Sequence, residues 1–126
     1  MRRHPERTEQ AGIVKLLRSI GGAVYVFGTT RRKGDYQGTM QTPGIPDLEV
    51  FLPPAGGLSE NTLLKIEVKA PHGRLSPAQQ HYRDHCIAAC VPHIVGGLDD
   101  VIAWLVKHGY LKLAQAPHYR LKKGAS

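Results

Sequence analysis

Cysteine is scarce in this sequence, and long hydrophobic runs are missing. The two cysteines, Cys86 and Cys90, lie four residues apart in a segment predicted to be helical, a spacing that does not suit a disulfide. A disulfide framework is therefore excluded and a reducing compartment is expected. No stretch approaches the roughly 20 apolar residues that span a bilayer, and no apolar segment follows the basic start of the chain. We expect a cytoplasmic protein without a membrane partner.

Acidic residues are also few. Lys and Arg number 17 against 10 Asp and Glu, so the 126-residue chain carries a net charge of +7 at pH 7. Such an excess favours polyanionic partners, because each phosphate that a cation neutralises releases condensed counterions. The hydrophobic content of 41% is that of a globular protein, and the length indicates one domain. We assign this domain to residues 1–109 and a basic tail to residues 110–126.

Hydrophobic periodicity and turn residues predict the order α-β-β-β-α-β-α, a mixed sheet flanked by helices in the α/β (α+β) class. A polar, basic loop occupies residues 29–43, and a turn rich in Pro and Gly occupies residues 53–61. Ser76 and Pro77 are typical of a helix start. The predicted helices are 6–20, 77–89 and 98–107, and the predicted strands are 23–28, 47–52, 62–69 and 92–95.

Charged residues alternate with apolar ones along the strand at 62–69. Glu67 and Lys69 therefore project from the same face, whereas Leu64 and Ile66 face the core. Asp47 opens the preceding strand, and the short turn between the two strands makes them antiparallel neighbours. We therefore expect Asp47 to stand across from Glu67.

Two converging carboxylates are hard oxygen ligands that suit Mg²⁺. Such an ion stabilises charge on a phosphate oxygen and activates a water, and a neighbouring ammonium group can stabilise the developing anion. Taken alone, the E-x-K pattern is more often that of a solvated surface hairpin. The G-I-P-D segment at residues 44–47 favours the metal-binding interpretation.

Three segments together resemble a known family. They are G-I-P-D-L at 44–48, E-V-K at 67–69 and L-S-P-A-Q at 75–79. In this order and at this spacing they resemble the VRR-NUC domain family of the PD-(D/E)xK nuclease superfamily, over roughly residues 9–105. The resemblance implies a restriction-endonuclease-like core and a Mg²⁺-dependent DNA endonuclease in which Mn²⁺ substitutes.

The resemblance also implies a set of site residues. Asp47, Glu67 and the backbone carbonyl of Val68 would bind the metal, Lys69 would be the catalytic lysine, and Gln79 would be a polar residue of the active site. A glutamate in the first helix is typical of the family as well.

For that glutamate we choose Glu9 as a catalytic and metal-binding residue. It lies on the apolar stripe of its helix, where an unpaired carboxylate is costly. The alternatives are that Glu9 only stabilises the helix start, or that Glu6 has this role. Gln79 shares a helical face with Tyr82 and Cys86 and so points inward; its plainer role would be a hydrogen bond to nearby backbone.

Two further groups of residues have weaker patterns. Basic side chains near the cleft are candidate DNA contacts or, equally, parts of solvated loops: Arg31, Arg32, Lys33 and Arg74. His81, His85 and the two cysteines superficially suggest zinc, but they lack the spacing of a zinc motif.

The expected function is a structure-selective endonuclease. By resemblance, small members act on branched DNA as homodimers in the manner of Holliday junction resolvases, and compact nucleases of this kind are common in bacteria and phages. The alternatives are a flap, nicking or restriction-like nuclease, and a non-catalytic basic DNA-binding module.

Overall fold

The computed structural model describes residues 5–27, 42–55 and 60–112. These described residues form three helices and four strands in the predicted order. The helices are α1 (Pro5–Ser19), α2 (Pro77–Ala88) and α3 (Leu98–Lys107); the strands are β1 (Ala23–Val26), β2 (Leu48–Leu52), β3 (Thr62–Val68) and β4 (His93–Gly96). The predicted α+β fold class is confirmed, and the ends of the predicted elements lie within two residues of the observed ends.

The four strands form one mixed sheet in the order β1-β2-β3-β4. β1 pairs with β2 and β2 with β3 in antiparallel fashion, whereas β3 and β4 are parallel. A parallel neighbour needs a crossover connection, and the chain between β3 and β4 contains α2. Strand β3 is therefore central, with a partner on each side.

One face of the sheet carries the hydrophobic core. Helices α1 and α3 contact each other and the sheet on this face. The fully buried side chains of the core come from all these elements and include Ile13, Leu17, Val50, Leu64, Ile66, Ile102 and Leu105. Burial of this aliphatic surface supplies the main driving force for folding. The core extends past α3, because Leu111 is also buried.

The opposite face of the sheet is covered less completely. Helix α2 lies over its β4 side, where the Tyr82 ring packs against His93 with centroids 6.0 Å apart. Towards β1 the face is open, and Tyr25 and Phe51 are exposed. The charged residues of β2 and β3 lie on this second face, between the helix and the open region.

Helix α1 ends shortly before two consecutive glycines, Gly21 and Gly22. Gly21 has a φ of +93°, a value that favours glycine. The N–H of Gly22 donates to the carbonyl of Leu17 at 2.8 Å, which closes the last turn. The chain then enters β1 directly, so the helix and the edge strand are held together.

Candidate functional site

Asp47 and Glu67 lie side by side at one end of β2 and β3. The last antiparallel pair is Leu48 with Ile66, and Asp47 and Glu67 come one residue beyond it on each strand. The Oδ2 atom of Asp47 accepts a hydrogen bond from the N–H of Val68 at 2.8 Å. This bond fixes the Asp47 side chain beside the end of β3, and the predicted juxtaposition of the two carboxylates is thus present in the structure.

Glu67 is buried although it is acidic. Its exposed fraction is 4%, and no other charged residue in the described ranges is buried. Among the described residues its Oε1 atom has no hydrogen-bond partner. Burial, and after it the charge of Asp47, raise the pKa of Glu67 to about 8 against the opposing effect of Lys69. A buried carboxylate with one unpartnered oxygen needs a physical explanation, and a bound cation provides one.

Lys69 follows directly after β3. Its backbone N–H donates to the carbonyl of Gly96 at 2.9 Å, so the ladder between β3 and β4 continues through this residue. The side chain of Lys69 lines a cavity of about 340 Å³, together with Glu9, His72 and Gly97. Asp47 and Glu67 do not line this cavity, which therefore lies beside the carboxylate pair rather than over it.

Gln79 reaches the site from the first turn of α2. Its Nε2 atom donates to Oε2 of Glu67 at 3.0 Å. Its Oε1 atom accepts from the N–H of Ser76 at 2.8 Å, which completes a capping box at the helix start. The structure thus contains the backbone contact that the sequence left open and, in addition, a contact with Glu67.

Glu9 has a partner that the sequence did not reveal. Its Oε1 atom accepts a hydrogen bond of 2.5 Å from the backbone N–H of Leu98, the first residue of α3. The carboxylate thus satisfies a free donor at a helix start, where negative charge is favourable. A different residue of α1, Glu6, is the one whose charge raises the pKa of Glu67.

The G-I-P-D segment packs tightly against α2. Gly44 has a φ of +93°, and a Cβ atom at this position would lie 2.5 Å from the carbonyl oxygen of Ala78. Glycine is therefore required at residue 44 for both backbone conformation and space. The contact links the loop that carries Asp47 to the helix that carries Gln79.

The side chains of this site that could bind a metal ion are the carboxylates of Asp47 and Glu67. Within residues 5–27, 42–55 and 60–112 there is no cluster of three or more His, Cys, Asp or Glu side chains suited to a metal. His81, His85 and Cys90 are exposed, whereas Cys86 is buried. The residues present fit a hard cation that keeps several waters, since Mg²⁺ is commonly held by one or two carboxylates together with substrate phosphate.

Of the residues predicted to contact DNA, only Arg74 lies in the described part of the chain. Arg74 is exposed in the loop between β3 and α2. Arg31, Arg32 and Lys33 lie outside the described residues, as does the tail from residue 113 onward. No helix in the described part of the chain is long and apolar enough to cross a membrane.

Comparison with known proteins gives one informative likeness. No protein-family model and no curated protein matches the sequence. A solved structure described as a VRR_NUC domain superposes with a TM-score of 0.57 and 24% sequence identity, and the match covers 84% of this chain and 98% of that one. The chain therefore has the fold of a VRR_NUC domain.

Proposed function

We propose that this chain is a metal-dependent endonuclease that hydrolyses phosphodiester bonds in DNA. The observation that carries the proposal is the buried carboxylate of Glu67, which lies beside Asp47 and has one oxygen without a partner in the described part of the chain. The fold likeness to a VRR_NUC domain and the net charge of +7 support it. Alternatives without a bound cation leave the cost of this buried carboxylate unexplained.

Each site residue has a distinct role in the proposed reaction. Asp47, Glu67 and the backbone carbonyl of Val68 would hold Mg²⁺ or Mn²⁺, and the ion would supply charge stabilisation at the phosphate and an activated water. Lys69 would place its ammonium group against the developing negative charge on the phosphate. Gln79 holds Glu67 in place through the 3.0 Å hydrogen bond.

Basic residues outside this group would bind the DNA backbone. We assign Arg74 to this role, together with the predicted contacts Arg31, Arg32 and Lys33. Phosphate contacts supply affinity that falls steeply with salt, because binding releases counterions. Glu9 stays a candidate site residue through its place in the cavity beside Lys69, although its carboxylate is already bonded to Leu98.

The test of the proposed function compares two lysines of the same strand region. Lys69→Met removes the proposed catalytic ammonium, and Lys65→Met is the matched control, because Lys65 projects from the same face and pairs with Glu49. In Mg²⁺ we expect Lys69→Met to lower the cleavage rate at least about 100-fold, and Lys65→Met to cut DNA at nearly the wild-type rate. Equal rates for Lys69→Met and wild type would refute the assignment, and wild-type protein that binds DNA but never cuts in Mg²⁺ or Mn²⁺ would indicate a binding module.

For the substrate we propose branched DNA of the four-way-junction type, cut by a homodimer in the cytoplasm. The support is the sequence resemblance, together with the fit of a two-fold assembly to a symmetric junction. Branched and linear DNA of equal length, cleaved side by side, test the substrate, and light scattering tests the dimer. Faster cleavage of linear DNA, or of flaps, would favour the alternative specificities.

A further inference from the structure

The side-chain amide of Gln79 lies between the start of α2 and Glu67. Its oxygen accepts from the backbone N–H of Ser76 at 2.8 Å, and its nitrogen donates to Oε2 of Glu67 at 3.0 Å. In return, the hydroxyl of Ser76 accepts from the backbone N–H of Gln79 at 3.1 Å. A helix cap and a buried carboxylate are therefore connected through one amide group.

The two partners of this amide fix its orientation. The O and N atoms of a side-chain amide are distinguished by their hydrogen-bond partners. If the amide of Gln79 were rotated by half a turn, its NH₂ group would face the N–H of Ser76 and its oxygen would face the carboxylate of Glu67. The contact with Ser76 would be repulsive, and so would the contact with the ionised Glu67 that binds a cation, so the N–H of Ser76 keeps the donor end of Gln79 directed at Glu67.

The hydrogen bond from Gln79 also makes the two oxygens of Glu67 different. Oε2 is engaged by the amide, whereas Oε1 is buried and has no partner among the described residues. Since a carboxylate is planar, holding Oε2 in place restricts rotation of the whole group. Oε1 is then the oxygen left for a cation.

We propose that the capping box of Ser76 and Gln79 positions Glu67 as a metal ligand, presenting Oε1 to the cation. This inference rests on the proposed function. Gln79 and Ser76 are positioning residues in this scheme, because they act through Glu67. The same contacts that begin helix α2 therefore set the geometry of the metal site.

The first experiment measures Mn²⁺ binding by calorimetry on the full chain without DNA. Gln79→Met keeps the side-chain length and removes the donor. Gln80→Met is the control on the adjacent, exposed glutamine, whose side chain donates to the carbonyl of Leu75 at 3.2 Å. Loss of an outer partner of a metal ligand typically weakens affinity 10- to 100-fold. We expect a weakening of about that size for Gln79→Met and wild-type affinity for Gln80→Met.

The second experiment separates two roles of Ser76. Its hydroxyl caps helix α2, and its backbone N–H orients the amide of Gln79. The residue has φ −69° and ψ 164°, angles that proline adopts without strain. Ser76→Ala and Ser76→Pro both remove the capping hydroxyl, but only proline removes the N–H that holds the Gln79 oxygen. We expect similar losses of thermal stability for the two variants, and Mn²⁺ affinity about 3- to 10-fold weaker for Ser76→Pro than for Ser76→Ala.

The outcomes distinguish the two proposals. If wild-type protein binds Mn²⁺ and Gln79→Met binds it equally well, the positioning role is refuted while the metal site stands. Equal affinities of Ser76→Ala and Ser76→Pro refute the role of the Ser76 N–H, and this pair decides the matter if Gln79→Met does not fold. Wild-type protein that binds no Mn²⁺ overturns the proposed metal-dependent function itself.

Discussion

Two pairs of charged side chains lie on the same face of β2 and β3, and they differ in the sign of one partner. In the first, which we call the ion pair, Glu49 stands across from Lys65, and its Oε2 atom lies 2.5 Å from Nζ of Lys65. In the second, the acidic pair, Asp47 stands beside Glu67 two residues further along each strand. The ion pair is also close to an aromatic ring, with Nζ of Lys65 6.0 Å from the centroid of Tyr82.

The two pairs occupy similar backbone positions but differ in whether their charges are compensated within the described residues. Opposite charges facing each other across strands are favourable, and like charges are unfavourable. The ion pair satisfies both partners within the protein. The acidic pair leaves an oxygen of Glu67 without a partner among the described residues, which is a cost that a cation would remove. This difference is why we propose the acidic pair, and not the ion pair, as the functional one.

The largest expected effect is the loss of cleavage when the acidic pair is altered. Asp47→Asn keeps the side-chain shape and removes a proposed metal ligand, so we expect DNA cleavage in Mg²⁺ to fall about 1000-fold or more. Glu49→Gln makes the corresponding change in the ion pair and should alter the rate less than about threefold. Quantitative cleavage of labelled DNA measures both. If Glu49→Gln were as inactive as Asp47→Asn, the distinction between the pairs would be lost.

Gly44→Ala should disturb the acidic pair through the backbone. The substitution places a Cβ atom at 2.5 Å from the Ala78 carbonyl oxygen at a φ of +93°. We expect the free energy of unfolding to fall by roughly 3 kcal/mol, as measured by chemical denaturation. Gly73→Ala is a control in an exposed loop, where the nearest atom would lie 3.0 Å away, and should cost less. An unchanged stability for Gly44→Ala would show that the loop and α2 are not held together there.

The acidic pair should also make the metal-free protein sensitive to pH. The pKa of Glu67 is raised from its ordinary value of 4.5 to about 8, so this residue favours the folded state fully below pH 4.5 and loses that contribution as the pH rises towards 8. In the presence of a chelator, Glu67→Gln should therefore be more stable than wild type at pH 8, by about 1–3 kcal/mol, and the two should differ less at pH 5. Denaturation at both pH values measures this, and a variant less stable than wild type at pH 8 would contradict it.

The smallest expected effect belongs to the ion pair. The side chains of Lys65 and Glu49 are 16% and 23% exposed, so solvent screens part of their attraction. We expect Glu49→Gln to lower the free energy of unfolding by less than about 1 kcal/mol. A double-mutant cycle with Lys65→Met measures the coupling. A coupling free energy several times larger would mean that the ion pair affects stability as strongly as the acidic pair does.

Local patterns in the sequence were enough to predict the fold and the acidic pair. Alternation along 62–69 places Leu64 and Ile66 in the core and Glu67 on the other face, as observed. The turn between the two strands makes them neighbours, so the position of Asp47 also follows from short-range reasoning. These features depend on residues close in the chain, for which periodicity is informative.

Contacts between distant segments could not be predicted in this way. The hydrogen bond from Leu98 to Glu9 joins residues 89 positions apart, and no local pattern signals it. The influence of Glu6 on Glu67 depends on how α1 is placed against the end of the sheet. The close approach of Gly44 to Ala78 likewise appears only when the loop and α2 are folded together.

That close approach limits how this site could be moved to another scaffold. The chain at residue 44 has no room for even one methyl group against the first turn of α2. A designer who transplants the loop with Asp47 would have to bring the helix with Gln79 as well, at the same separation. The two segments form one transferable unit, and the spacing between them is set by the absence of a side chain.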